Sequence, residues 1–306
     1  MITERETLAS QLQAAYPQGL TGIFISGTTR RQYLYERGDS SDGRITDFSD
    51  YVDYMLRKVL ELARLFYAYG GRHFITPLFW WNAFESRGSE LARMYRDFGG
   101  NLVKGMAQAF YEEEKVTPIF LGLDTWLAMP PDHLGRQLAE ELRQVQEAVP
   151  ANSTRTLVWE LGSLPVYTFQ HVRIPDPTPA NLPEDLLKEL YPAYSRAIYG
   201  TYIPHPHLYV GSAQSGTLRV RAPLPLALSG AEYCRFFYVP YPTLMLTEKA
   251  LVTILTDLLA PLQHSTTYDY RAKLTPDLIQ AERDRIQRLI DDPSQILGLS
   301  RQFGEE

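Results

Sequence analysis

The chain has 306 residues, 44% of them hydrophobic and 22% charged, with a net charge of −6 at neutral pH. This composition supports a sizeable core and excludes wholesale disorder, and the negative balance removes any global attraction to nucleic acid or anionic lipid. The single cysteine, Cys234, excludes an intramolecular disulfide and a cysteine-built zinc site.

No apolar run approaches the roughly 18 residues of a membrane span, and the first thirty residues lack a basic end followed by an apolar signal core. A cytoplasmic protein with no membrane span is expected. The run Ile23-Phe24-Ile25 reads as a buried first strand. It breaks at Ser26-Gly27 into Thr28-Thr29-Arg30-Arg31. Arg30 and Arg31 are either solvated loop charges or a diphosphate holder, since guanidinium forks and neighbouring hydroxyls suit phosphate oxygens.

Asp47 or Ser49 is a candidate cap for a helix beginning near Asp50. Val52, Met55, Leu56, Val59, Leu60, Ala63 and Phe66 recur at three- and four-residue spacing and make its apolar face. Gly70-Gly71 ends that helix, and residues 73–81 are apolar and β-prone, which predicts a second strand. The alternation continues with a helix over 90–113 softened at Gly99-Gly100, a strand over 116–123, a helix over 133–148 and a strand over 154–161.

The stretch 162–183 carries five prolines and is read as an irregular connection before a helix running to about Tyr199. Strands over 207–211 and 235–240 follow, the intervening Pro223-Leu224-Pro225 being incompatible with a central strand. Residues 247–262 make an amphipathic helix, and 276–290 a charge-rich peripheral one. Six strands alternating with helices predict one doubly wound α/β domain over 1–306, with a mostly parallel central sheet flanked by helices. Residues 264–306 are expected to form a peripheral helical tail.

Ligands of such sheets collect beyond the carboxyl ends of the strands. Tyr33, Tyr35 and Tyr51 belong to that rim, as do Trp80 and Trp81 after strand two, Trp126 after strand three and Trp159 late in strand four. A basic holder beside many aromatic faces suits a large apolar molecule with a diphosphate head, because aromatic faces also stabilise cations. Neither GxxxxGK[ST] nor GxGxxG is present, and His205-Pro206-His207 lacks further metal ligands beside it. No metal-ligating set is read from the residues.

The segment Gly27-Thr28-Thr29-Arg30-Arg31-Gln32 resembles the first-strand motif Asp-Gly-Asn-Arg-Arg-Trp of the cis-prenyltransferases. Thr29-Arg30-Arg31, Asp50-Tyr51, Pro77-Leu78-Phe79, Arg87-Gly88, Tyr199-Gly200-x-Tyr202 and the tail from Asp269-Tyr270 to Gly298 are similar to a divergent bacterial branch. That branch is typified by tuberculosinol synthase, a tuberculosinyl adenosine transferase. The resemblance implies a cis-prenyltransferase-like fold, a homodimer and an isoprenoid diphosphate substrate. It implies that Arg30 and Arg31 hold the diphosphate, that Tyr51 lies beside the reacting head and that Asn82 is a polar catalytic residue. Thr28, Thr29, Tyr33, Trp80, Trp81, Arg87 and Trp126 would complete the substrate site.

Two departures bear on the chemistry. Gly27 replaces the family aspartate that engages magnesium diphosphate, which puts the Mg2+ implied by the resemblance in doubt. Val210-Gly211-Ser212-Ala213-Gln214-Ser215-Gly216 replaces the segment that binds a second diphosphate, so chain elongation is not expected. The expected reaction is ionisation of a bicyclic C20 allylic diphosphate with water as the second reactant, yielding a tertiary alcohol and pyrophosphate. Transfer to a nucleoside or other nucleophile, and a noncatalytic scaffold subunit, are the alternatives.

Overall fold

The computed structural model describes residues 4–26, 29–37, 45, 47–79, 96–148, 154–162, 186–212, 225, 234–260, 280, 283–284 and 287–288. Six strands form one sheet: β1 (Leu20–Phe24), β2 (Gly71–Phe79), β3 (Val116–Leu121), β4 (Arg155–Leu161), β5 (Leu208–Ser212) and β6 (Arg235–Val239). Their order is β3-β4-β2-β1-β5-β6, and every pairing among the described residues is parallel. The doubly wound α/β architecture expected from the strand–helix alternation is the one observed.

The helices are α1 (Glu4–Ala15), α2 (Thr29–Arg37), α3 (Phe48–Ala68), α4 (Gly105–Glu113), α5 (Leu123–Leu127), α6 (Leu134–Ala148), α7 (Leu186–Tyr199) and α8 (Glu248–Leu259). Alternation along each strand divides the core in two. Leu20, Phe24, Phe74, Phe120, Leu157, Trp159 and Val210 point to one face, where α1, α3, α4, α6 and α8 pack. Ile23, Ile75, Ile119, Val158 and Tyr209 point to the other, against Tyr191 and Tyr199 of α7.

The helix α3 shows how sequence dictates this packing. Asp47 is its N-cap and accepts from the Asp50 amide at 3.0 Å, and all seven residues of the predicted apolar face are buried. Phe66 meets Phe24 edge-on at 5.2 Å, while Phe24 stacks on Phe74 at 4.6 Å, so helix and strands share one aromatic cluster. Gly71 allows the close approach: a Cβ there would lie 2.3 Å from the Phe66 ring.

Several boundaries differ from expectation. Three helices, α1, α2 and α5, stand where none was predicted, and α2 replaces the expected loop around Arg30 and Arg31. The predicted 90–113 helix is broken: 96–101 are helical, a turn occupies 102–104, and α4 follows. Gly99 leaves room for Leu138 of α6, whose side chain reaches 2.5 Å from where a Cβ would stand. β3 ends at Leu121 because Gly122, at φ 93°, turns the chain into α5. Of the predicted irregular connection only Gly162 is described; of 264–306 only 280, 283–284 and 287–288 are, and these are helical. No helix among the described residues is long and apolar enough to cross a membrane.

At the amino ends of the strands two histidines, His73 buried and His207 half-buried, are held as neutral rings. His207 Nδ1 accepts from the Thr21 amide at 2.9 Å, and His73 Nδ1 is 2.9 Å from Thr156 Oγ1. Burial pushes both imidazoles down to about 4, from an ordinary value near 6.5. Between those values the unfolded chain binds more protons, so their contribution to stability is complete above about pH 6.5 and lost as pH falls toward 4. We expect about 3 kcal/mol for each histidine, roughly 6 kcal/mol for the pair, to disappear over that window in urea titrations. His207→Asn, which keeps an acceptor for Thr21, should remove about half of the slope.

Candidate functional site

The strand order reverses around β1. β2 lies on one side of it and β5 on the other, while β4 and β3 extend the first side and β6 the second. In a parallel sheet the usual place for a ligand is beyond the carboxyl ends of the strands at such a reversal, here the end of β1. Both flanks of the strand end are tied down. The Ile25 amide donates to Val210 of β5 at 2.9 Å, and Ser26 Oγ donates to the Pro77 carbonyl of β2 at 2.9 Å.

The helix α2 begins at Thr29, directly beyond this point. Its first-turn amides lack helical partners and its dipole presents positive charge there, which favours an anion. Arg30 is exposed in the same turn. A helix start therefore carries the basic residues that the sequence placed on a loop, and two independent sources of positive potential coincide.

One face of α2, residues Thr29, Tyr33 and Arg37 at four-residue spacing, meets the start of α3. Thr29 Oγ1 and Tyr51 OH share a hydrogen bond of 2.6 Å. Tyr33 donates to Asp50 Oδ2 at 2.8 Å, and its ring meets Tyr51 and Tyr54 edge-on at 5.3 and 5.4 Å. The bond to Asp50 pushes the Tyr33 phenol up to about 12, so it stays a donor throughout the physiological range. Arg37 holds the other Asp50 oxygen at 3.6 Å. Lys58 of α3 pairs with Glu36 of α2 at 3.0 Å, and Gln32, fully buried, donates to Glu36. Burial first, then Glu36, raises the Tyr54 phenol well above its ordinary value.

The structure thus brings together Thr29, Tyr33 and Tyr51, with Arg30 exposed in the same first turn of α2. Gly27, Thr28, Trp80, Trp81, Asn82 and Arg87 lie outside the described residues, and only the backbone of Arg31 is described, in the first turn of α2. Trp126, expected in the cavity wall, is a core residue: it is 2% exposed and its indole donates to the Leu161 carbonyl. Trp159 is likewise buried, donating to Tyr111 OH at 3.0 Å. Asp50 and Tyr54 went unread as site residues. Their signal was the 47–50–54–58 spacing on α3 facing 29–33–37 on α2, visible only once α2 is known to be a helix.

Among the described residues no group of three or more His, Cys, Asp or Glu could hold a metal ion. The two carboxylates at the start of α3 are engaged, Asp50 by Tyr33 and Arg37, and Asp47 by the Asp50 amide. A carboxylate-anchored magnesium does not fit these described residues.

No protein-family model matches the chain, and no curated protein sequence matches it. Solved structures do. A probable undecaprenyl diphosphate synthase from Campylobacter jejuni superposes with a TM-score of 0.50 at 10% identity, covering 79% of this chain and 95% of that one. Lavandulyl diphosphate synthase from Lavandula x intermedia, in complex with dimethylallyl diphosphate, gives 0.46 at 13% identity, covering 79% and 95%. The first likeness shows that the chain has a cis-prenyltransferase-like α/β fold.

Arg30 is exposed and supports no core, so its removal should spare the fold. We expect Arg30→Ala to weaken binding of inorganic pyrophosphate about tenfold in calorimetric titration, with the melting temperature unchanged within about 2 °C.

Proposed function

We propose that the chain ionises a bicyclic C20 allylic diphosphate, kolavenyl diphosphate, and captures the cation with water to release a tertiary alcohol of the kolavelool type and pyrophosphate. The observation that carries this reading is the start of α2. There Arg30 and the Thr29–Tyr51 pair stand beyond β1, where the strand order reverses, one helical turn from the half-buried Tyr33. The similarity of the fold to a probable undecaprenyl diphosphate synthase supports a prenyl diphosphate as the substrate class.

The carbon–oxygen bond to the diphosphate breaks heterolytically, and both electrons leave with the oxygen. Arg30, Arg31, the hydroxyls of Thr28 and Thr29 and the α2 amides stabilise the charge that develops on the leaving group. The allylic cation lies against aromatic faces, Tyr33 and Tyr51 with Trp80 and Trp81. Arg87 is assigned to the substrate's diphosphate end. Water adds at the tertiary allylic carbon, Tyr51 and Asn82 orient it, and its proton ends on the released pyrophosphate. Exclusion of bulk water keeps capture at one carbon. With no second diphosphate site in the sequence, the cation is quenched rather than extended.

The test is incubation with C15 and C20 allylic diphosphates in 18O-labelled water, followed by product analysis. A labelled tertiary alcohol with stoichiometric pyrophosphate is expected, and Arg30→Ala should lower kcat/KM about a hundredfold. A prenylated nucleoside formed when adenosine is added would favour nucleophile transfer instead. No pyrophosphate from any of these substrates would leave the scaffold alternative standing.

A further inference from the structure

The reaction assigns no role to Asp50, yet every polar atom of its side chain is in use. Oδ2 accepts from Tyr33 at 2.8 Å and Oδ1 lies 3.6 Å from Arg37, while its own amide is held by Asp47 at 3.0 Å. Partners on both oxygens favour one orientation of the Asp50 carboxylate, and through the hydrogen bond one orientation of the Tyr33 phenol. Tyr33 stands one turn beyond Thr29 on the same face of α2, about 6 Å along the axis.

Three rings meet here, and they are not equivalent. Tyr51 and Tyr54 are 9% and 4% exposed, whereas Tyr33 is only half-buried. Tyr54 already has cations of the protein over its ring, Arg37 at 5.9 Å and Lys58 at 5.6 Å. Among the described residues no cation lies over Tyr33. A phenol that donates to a carboxylate gains electron density on its ring, and the negative face it offers a cation deepens.

We propose that Asp50 is a positioning residue, which orients and electronically enriches Tyr33 as the ring that faces the allylic cation. The inference rests on the allylic-cation reading above and goes beyond it by separating two functions of the seam: Thr29 and Arg30 serve the leaving group, Asp50 and Tyr33 the cation. Asp50 touches neither reacting atom. It acts through the ring.

Wild type, Tyr33→Phe, Asp50→Asn and the double variant are compared in pyrophosphate release from the C20 allylic diphosphate. Binding of the saturated diphosphate, which cannot form an allylic cation, is measured in parallel. Each single variant should lose about tenfold in kcat, with KM and saturated-analogue affinity within about twofold of wild type. The double variant should be no slower than the slower single one, because both changes remove the same interaction. Tyr33→Phe keeps the ring and Asp50→Asn keeps the shape, so either variant carries the test if the other fails to fold. Unchanged kcat in these variants, multiplicative losses in the double variant, or an equal loss of saturated-analogue affinity would overturn the proposal while wild type turns over. An inactive wild type would overturn the allylic-cation reading, and this proposal with it.

Discussion

The constraint on which the site depends is the position of β1 inside the sheet. With β2 on one flank and β5 on the other, the end of β1 has no freedom to wander. Ile25 is tied to Val210 and Ser26 to Pro77, so the chain leaves the sheet at one place and in one direction. α2 starts three residues later at Thr29, and its first turn is held against α3 by the Thr29–Tyr51 hydrogen bond. Everything polar at the site inherits its position from that exit.

The seam between α2 and α3 is chemically unlike the rest of the interior. Elsewhere α3 packs by apolar contact, Phe66 on Phe24 and Gly71, with the ordinary gain of buried hydrocarbon. Along the seam Gln32 is fully buried, Tyr54 nearly so, and charged pairs cross between the helices. Burying such groups costs free energy unless each finds partners, and an apolar seam would be simpler to stabilise. A fold under no functional demand has little reason to build it. Its location past the carboxyl end of β1 is therefore informative beyond the identity of its residues.

How much of this was legible follows from where hydrophobicity carries the signal. The face of α3, its Asp47 cap and six strands are visible because burial there is apolar and periodic. α2 was invisible for the opposite reason: the residues it turns inward are Gln32 and Tyr33, so its pattern reads as a polar loop. α1 buries only Leu8 and Leu12, and α5 has five residues, too little for a period in either case. The tryptophans misled differently. A tryptophan at a strand end suggests an amphipathic wall, but Trp126 and Trp159 found partners for their indole N–H groups in Leu161 and Tyr111 and went into the core. Sequence shows that a polar handle is present; only the fold shows whether something buried is there to take it.

Gly27, which stands where the resembling cis-prenyltransferase motif has an acid, then acquires a physical meaning on the proposed chemistry. Ionisation of an allylic diphosphate creates an anion and a cation a few ångströms apart, and a site favours it by offering each a complementary partner. At the start of α2 the partners are positive or hydroxylic: the helix amides, Arg30 and Thr29. One turn along, at Tyr33, the partner is the negative face of a ring backed by the Asp50 carboxylate. An acid at the strand end, without a metal to bridge it, would set like charge against the departing diphosphate. Moved one turn away and held behind an aromatic ring, a carboxylate opposes nothing and favours the cation. On the proposed chemistry, the leaving-group end of the seam is cationic and hydroxylic, and the ring offered to the cation is Tyr33 with Asp50 behind it, a carboxylate it shares with Arg37.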